Sequence, residues 1–157
     1  GQRVFDWTRI HLPIFGQIFQ KVALTRFART LSNLLKSGIP LGRSLELVSD
    51  IVGNVIYRDL IHATIAEVEA GHSIVTVFSK SSDMPIMVSQ MMSVGEQTGK
   101  LDQILQSLAD FYARELDNSV RNLVTLIEPL IMVVLGIAVG ILVAGTLLPM
   151  YNLSTTL

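Results

Sequence analysis

The sequence predicts an all-α protein, an antiparallel six-helix bundle followed by one C-terminal transmembrane helix. Three observations predict it. Apolar residues recur at three- and four-residue spacing along most of the 157 positions. Alternating β-branched runs bounded by turn residues, the mark of strands, do not occur. Near the C-terminus, residues 130–148 form 19 positions without a charge.

The elements follow in order. Residues 1–16 read as a membrane-proximal connection, with Leu12-Pro13-Ile14-Phe15-Gly16 expected to break the chain before a bundle module over residues 17–128. In the first bundle helix, Leu24, Phe27, Ala28, Leu31, Leu34 and Leu35 share one face, with Arg26, Arg29, Asn33 and Lys36 mostly off it. Ser37-Gly38-Ile39-Pro40 ends this helix, because glycine suits a left-handed C-terminal position and proline cannot continue the helix. Leu41, Leu45, Val48 and Val52 form the stripe of a second helix, which Gly53-Asn54 breaks. A third helix is expected from about Ile56 to Ala70, burying Ile61, Ile65 and Val68 and closing at Gly71-His72-Ser73. Ile74 to Phe78 reads as a short apolar turn or helix. Lys80 to Asp83 reads as a loop, with Ser82 or Asp83 as the cap before Pro85 at the next first turn. The fifth helix carries Val88, Met91, Met92 and Val94 into Gly95-Glu96-Gln97-Thr98-Gly99, with Met84, Met87, Met91 and Met92 read as flexible core filling or, alternatively, an adaptable contact surface. The sixth starts near Lys100 with a stripe of Leu101, Ile104, Leu105, Leu108, Phe111 and Tyr112. Short connections between such helices predict antiparallel neighbours.

The transmembrane helix is expected over residues 129–151, with a short periplasmic tail at 152–157. Its 19 uncharged positions span about 28 Å at 1.5 Å per residue, close to the hydrocarbon thickness of roughly 30 Å. Arg114 and Arg121 precede it and no Lys or Arg follows it, so the positive-inside rule puts the bundle in the cytoplasm. Tyr151 is placed to anchor the far interface. Pro129 either kinks a helix that runs straight into the membrane or marks a short break. Gly136, Gly140 and Ala144 put three small residues on one face, where another membrane helix can approach closely.

Composition excludes several functions. The chain has no cysteine, which rules out disulfides, thiolate metal sites and cysteine nucleophiles. A net charge of −1 argues against nucleic-acid binding. The charge is unevenly spread: residues 1–43 hold seven Lys/Arg and one acid, residues 44–157 five and twelve. The basic N-terminal part can reflect ordinary solvated faces or proximity to anionic headgroups on the cytoplasmic side. The first residue is glycine and the first ten hold Arg3, Asp6 and Arg9, so no signal peptide is read and a fragment of a longer protein is expected.

No catalytic constellation emerges. His11, His62 and His72 belong to no ligand-spaced cluster, and no GxSxG elbow occurs. Gly95 to Lys100 looks superficially like a phosphate loop. It has three rather than four residues between its glycines, Leu101 in place of the magnesium-binding hydroxyl, and no preceding strand. Glu67, Glu69, Asp83, Glu96 and Asp102 could offer oxygen ligands to calcium, Glu69 and Glu96 being the named candidates, although EF-hand spacing is missing. No cofactor is expected.

Four motifs in order resemble one family. Arg26-Phe27, followed by Leu31-Ser32-Asn33-Leu34-Leu35-Lys36-Ser37-Gly38-Ile39-Pro40-Leu41, resembles the opening of a module in the F proteins of type II secretion and the inner-membrane platform proteins of type IV pili. Gly95-Glu96-Gln97-Thr98-Gly99-Lys100-Leu101 is similar to that family's Gly-Glu-x-x-Gly-x-Leu turn. Glu69-Ala70-Gly71 with Ser73, and Glu128-Pro129 leading into a membrane helix, complete the order. The resemblance spans about Leu12 to Tyr151 and implies the second cytoplasmic module of a platform protein plus its last membrane helix. It further implies a non-enzymatic role as an inner-membrane, homo-oligomeric platform. The partners implied are a cytoplasmic hexameric assembly ATPase, pilin or pseudopilin subunits, other inner-membrane assembly proteins and the lipid bilayer. Gly38, Pro40, Glu69, Gly71, Gly95, Glu96, Gly99 and Pro129 carry over as motif positions, the glycines of the Gly-Glu-x-x-Gly turn for their backbone freedom. Two alternatives stay open: a tail-anchored helical-bundle receptor or sensor, and a membrane-anchored enzyme using carboxylates such as Glu67, Glu69 or Glu96.

Overall fold

A computed structural model describes residues 2–155, with side chains from Ile14 onward. Among the described residues there are six helices and no strand: α1 (Gln2–Lys36), α2 (Leu41–Ile51), α3 (Val55–Glu69), α4 (Val75–Phe78), α5 (Ile86–Thr98) and α6 (Leu101–Thr155). The fold class is therefore the expected one. The chain divides into two compact units, Gly1–Asp117 and Asn118–Leu157.

The first unit closes around one core. Leu24, Phe27 and Leu31 of α1 meet Leu45 and Val48 of α2, Ile61 of α3, Phe78 of α4, Met92 of α5, and Leu105 and Leu108 of α6, all nearly inaccessible to solvent. The rings of Phe27 and Phe78 meet edge to face with centroids 5.6 Å apart, so the four-residue α4 plugs the core with one aromatic. The methionines divide as a gap-filling role requires: Met84 and Met92 are buried, while Met87 and Met91 pack half-buried against the core.

Helices α1 and α6 run antiparallel. Lys21 faces Glu115 at 3.8 Å and Arg29 faces Asp110 at 4.0 Å, while Lys36 donates to Gln106 Oε1 at 3.2 Å. Between them the buried Ser32 hydroxyl donates to the Asp102 carbonyl at 2.8 Å. Three other buried hydroxyls, on Ser44, Ser49 and Thr64, return to nearby backbone carbonyls, a local bond that lets a polar atom enter an apolar core.

Several expectations are corrected. The break at Leu12 to Gly16 is not there; α1 stays helical through it. One proline removes a single hydrogen bond and one glycine costs a helix interior about 1 kcal/mol, so neither forces the helix to end. Neither Ser82 nor Asp83 caps α5, whose N-cap is Pro85 without a side-chain hydrogen bond. The Pro85 carbonyl instead accepts from the Val88 amide at 3.0 Å. Val94 and Phe111 lie at the edges of their stripes and are exposed. The question at Pro129 resolves in favour of continuity, because α6 runs through both Pro129 and Pro149.

The second unit is a single apolar helix over its described residues. α6 is long and apolar enough to cross a membrane, and its most apolar 18-residue window buries nothing within the chain.

Tyr57 ties α3 to α1 and to the loop before α5. Its hydroxyl donates to the Asp83 carbonyl at 2.8 Å, which also accepts from Gln20 Nε2 at 3.2 Å. Burial raises the Tyr57 pKa above its ordinary 10.0; Gln20 opposes this, and the Asp83 and Tyr112 charges add to it. Burial likewise raises Tyr112, with Glu115 adding to it. A raised folded-state pKa means that the folded chain keeps these protons to higher pH than the unfolded chain. Their contribution to stability is complete below pH of about 10 and is lost as pH rises through the folded values. Urea titrations of the first unit's unfolding above pH of about 10 are expected to show stability falling with pH. Tyr57→Phe should make that decline shallower while costing about 1 kcal/mol at neutral pH for the lost hydrogen bond.

Candidate functional site

Three helix ends share one backbone solution. After α1, the Ile39 amide donates to the Leu34 carbonyl at 3.1 Å and the Gly38 amide to Leu35 at 3.0 Å, with Gly38 at φ +82°. After α3, His72 donates to Glu67 at 2.9 Å and Gly71 to Val68 at 3.0 Å, with Gly71 at φ +84°. After α5, Lys100 donates to Gly95 at 2.8 Å and Gly99 to Glu96 at 3.4 Å, with Gly99 at φ +69°. Each is a Schellman closure, in which a left-handed residue returns two amides to carbonyls that the helix end leaves unpaired. Gly38, Gly71 and Gly99 are the residues that make the closures possible, since a side chain at such φ is strained. Pro40 follows the first closure as the N-cap of α2, at φ −56° and ψ 148°.

Gly95 works differently. It is buried inside α5 rather than in the turn. A β-carbon there would stand 3.0 Å from the Leu101 Cα and 3.0 Å from Ile104 Cγ1. Its missing side chain is thus the space into which the first turn of α6 fits. The expectation that backbone freedom explains this glycine is corrected: close approach does.

Glu96 joins two of the motifs. Its Oε2 accepts from the Ile74 amide at 2.9 Å, and Ser73 Oγ accepts from the Val75 amide at 3.2 Å. The first amides of α4 are therefore met by one acceptor from the Gly71-to-Ser73 segment and one from α5. A carboxylate is favoured at the positive end of backbone amides. Ile74 and Phe78 are held in the core by this attachment, both fully buried. The contact from Glu96 to Ile74 could not be read from spacing, because it joins an acid to a backbone amide 22 positions away.

The remaining acids do not converge. Glu67 pairs with His72 at 2.6 Å, Glu69 is exposed at the end of α3, and Asp83 and Asp102 are engaged through their carbonyls. Among the described residues no group of three or more His, Asp or Glu side chains could hold a metal ion. Beside the α4 attachment, α4 and α5 line a cleft of about 530 Å³ that includes Val75, Ser79, Ile86, Ser89 and Val94 and no charged side chain. Such a cleft offers shape and hydroxyls without an acid, base or nucleophile pair. Pro129 lies within α6, where it gives no amide to the Thr125 carbonyl. Gly136 and Gly140 have no atom within 4 Å of a would-be β-carbon, and the helix around them and Ala144 is exposed.

A family model described as type II secretion system (T2SS), protein F matches residues 27–149. A type IV pilus assembly protein PilC from Thermus thermophilus is 39% identical over 158 aligned residues, which cover 100% of this chain and 39% of the relative. The protein of the same description from Pseudomonas aeruginosa is 40% identical over 94% of this chain and 40% of its own length. A type II secretion system protein F from Pseudomonas aeruginosa is 29% identical over 92% of this chain and 36% of its own length. The chain thus spans about two fifths of the length of the curated relatives it matches.

Gly95, Gly136 and Glu96 give separable predictions. Gly95→Ala should destabilise the first unit by about 1–2 kcal/mol, since overpacking against the Leu101 backbone outweighs the helix propensity gained. Gly136→Ala should leave the unit's urea midpoint unchanged. Glu96→Ala should cost about 1 kcal/mol and raise amide exchange first at Ile74, as measured by hydrogen–deuterium exchange.

Proposed function

Because the chain belongs to the type II secretion system protein F family, we propose that it is the C-proximal part of an inner-membrane platform subunit that serves a type IV pilus or type II secretion machine. In this reading it is not an enzyme. It couples a cytoplasmic assembly ATPase to the assembly of pilin or pseudopilin subunits. The observation that carries the reading is that the family match takes in both the helical bundle and the apolar helix, as one unit of relatedness from residue 27 to residue 149. The relatives, of whose length this chain spans about two fifths, are named for type IV pilus assembly and for type II secretion, which supports the reading.

The geometry supports a mechanical part. Three Schellman closures and the Gly95 contact fix the turns of the bundle, and the bundle's final helix is the same helix that holds the apolar stretch. A force applied to the first unit therefore has a continuous backbone through which to reach residues 129–151. We assign residues 17–128 to the cytoplasmic module, residues 129–151 to the span and the tail to the periplasm. The small-residue face of Gly136, Gly140 and Ala144 would meet another membrane helix, from a second subunit or from the rest of the same protein.

Two measurements test this. Deleting the gene should abolish pilus assembly or secretion, and the full-length protein should co-purify with its motor ATPase; assembly that continues without the protein overturns the role. This chain has no cysteine, so single cysteines placed in it map its topology directly. A single cysteine at Ser154 should react with a membrane-impermeant maleimide in intact spheroplasts, and one at Gln97 only after permeabilisation. The reverse pattern overturns the orientation.

A further inference from the structure

One face of α5 is left unpartnered by the bundle. Ile86, Gln90, Ser93 and Gln97 follow one another at steps of four, three and four residues, the spacing at which one helix seats another. Ile86 is 75% exposed, and Val94, beside Ser93, is 53% exposed. This row forms one wall of the cleft of about 530 Å³ between α4 and α5. Ser89 also lines the cleft; it is buried, yet its Oγ has no hydrogen-bond partner. Buried hydroxyls are rarely left unpaired, and this one can both donate to and accept from a group entering the cleft.

Charge says what that group belongs to. The cleft lining holds no charged side chain, and α5 carries a single one, Glu96, whose carboxylate is engaged by the Ile74 amide. By contrast, α2 and α3 expose Arg43, Asp50, Arg58 and Asp59. Two copies of the α5 face therefore bring no like charges together. Serine hydroxyls and glutamine amides both donate and accept, so each can bond its own kind. Direction follows from the ends of the helix. Asp83 stands just before α5 and Lys100 just after it; both are exposed, and neither takes part in an ion pair among the described residues. Parallel copies would set Asp83 against Asp83 and Lys100 against Lys100. Antiparallel copies with Ile86 opposite Gln97 put Gln90 opposite Ser93 and Asp83 opposite Lys100 in the same register. Opposite charges then meet at both ends, once for each copy.

We infer that α5 is a contact between two copies of this chain, packed antiparallel about a two-fold axis. Gln90 of each copy lies within reach of the Ser89 and Ser93 hydroxyls of the other, and Lys100 of each faces Asp83 of the other. The inference fixes a face and a direction, neither of which the sequence implies. The 13 residues of α5 make a contact about 20 Å long, smaller than an obligate interface. Confinement of both copies to one bilayer raises their effective concentration. In this respect the inference rests on the reading that residues 129–151 span the membrane.

The test uses single cysteines in the full-length protein, with any cysteine outside this chain replaced by serine, reconstituted into vesicles of phosphatidylethanolamine and phosphatidylglycerol. Protein bearing Ile86→Cys and protein bearing Gln97→Cys carry different tags and are oxidised alone and mixed. The mixture should give a disulfide-linked pair of unlike tags, and neither variant alone should link. Adding Val94→Lys, a charge at an exposed position of the face, should abolish the pair without moving the urea midpoint of the first unit. Lys100→Glu should reduce the pair, and the further change Asp83→Lys should restore it. The inference is overturned by no link in the mixture or by equal linking of either variant alone. It is also overturned by a link that Val94→Lys leaves in place or that Asp83→Lys fails to restore. A cysteine at Val139 separates these failures from the span reading. If it resists a membrane-impermeant maleimide in intact vesicles and after permeabilisation, the span reading stands and the inference alone falls. If it reacts, the span reading and this inference fall together.

Discussion

The close approach of α5 to the first turn of α6 is the constraint on which the first unit depends. At Gly95 one helix admits the backbone of the next, with no room for even a methyl group beside the Leu101 Cα. That contact sets where α6 starts, and α6 in turn supplies Leu105, Leu108 and Tyr112 to the core. The adjacent Glu96 then fixes α4, whose four residues could not hold a helix alone. Phe78 reaches Phe27 only because that short helix is attached. A turn, a packing contact and an aromatic plug are thus consequences of one missing side chain and one carboxylate.

The polar interior follows the same economy. Buried hydroxyls on Ser32, Ser44, Ser49 and Thr64 find backbone carbonyls, whereas the buried Ser89 Oγ at the α4–α5 cleft has no hydrogen-bond partner. Surface ion pairs between α1 and α6 are long and partly exposed, at 3.8 and 4.0 Å, and add little beyond register. Apolar burial and closed helix ends carry the unit.

Much of this was legible in the sequence. The α1 stripe from Leu24 to Leu31, the glycine stop at Gly38, the end of α3 at Gly71 and the uncharged C-terminal stretch follow from periodicity and turn chemistry alone. What was not legible depends on tertiary neighbours. Gly95 and Gly99 look alike in sequence, yet one answers to a neighbouring helix and the other to its own backbone angle. Pro13 reads locally as a breaker, yet a helix loses only one bond there and continues. The cap of α5 was misplaced because Pro85, with its φ fixed near helical values, starts the helix without a side-chain acceptor. The site was legible as a list of positions but not as an arrangement, since the contact from Glu96 to Ile74 joins segments that only the fold brings together.

Glu128 is the last titratable acid or base in the chain, apart from the phenol of Tyr151 and the chain end. Apart from that phenol, the stretch after it is indifferent to protonation and nearly so to ionic strength, whereas the first unit carries every charged side chain except Arg121 and Glu128, together with the raised tyrosines. Acid, alkali or denaturant will therefore melt the two units on different schedules. Far-ultraviolet ellipticity will retain a helical baseline from the apolar unit after the first unit has lost its core, so a single midpoint read from total helicity mixes two processes. The cooperative transition of the bundle is better followed by a tertiary probe such as near-ultraviolet absorption of Tyr57 and Tyr112, both buried in the first unit.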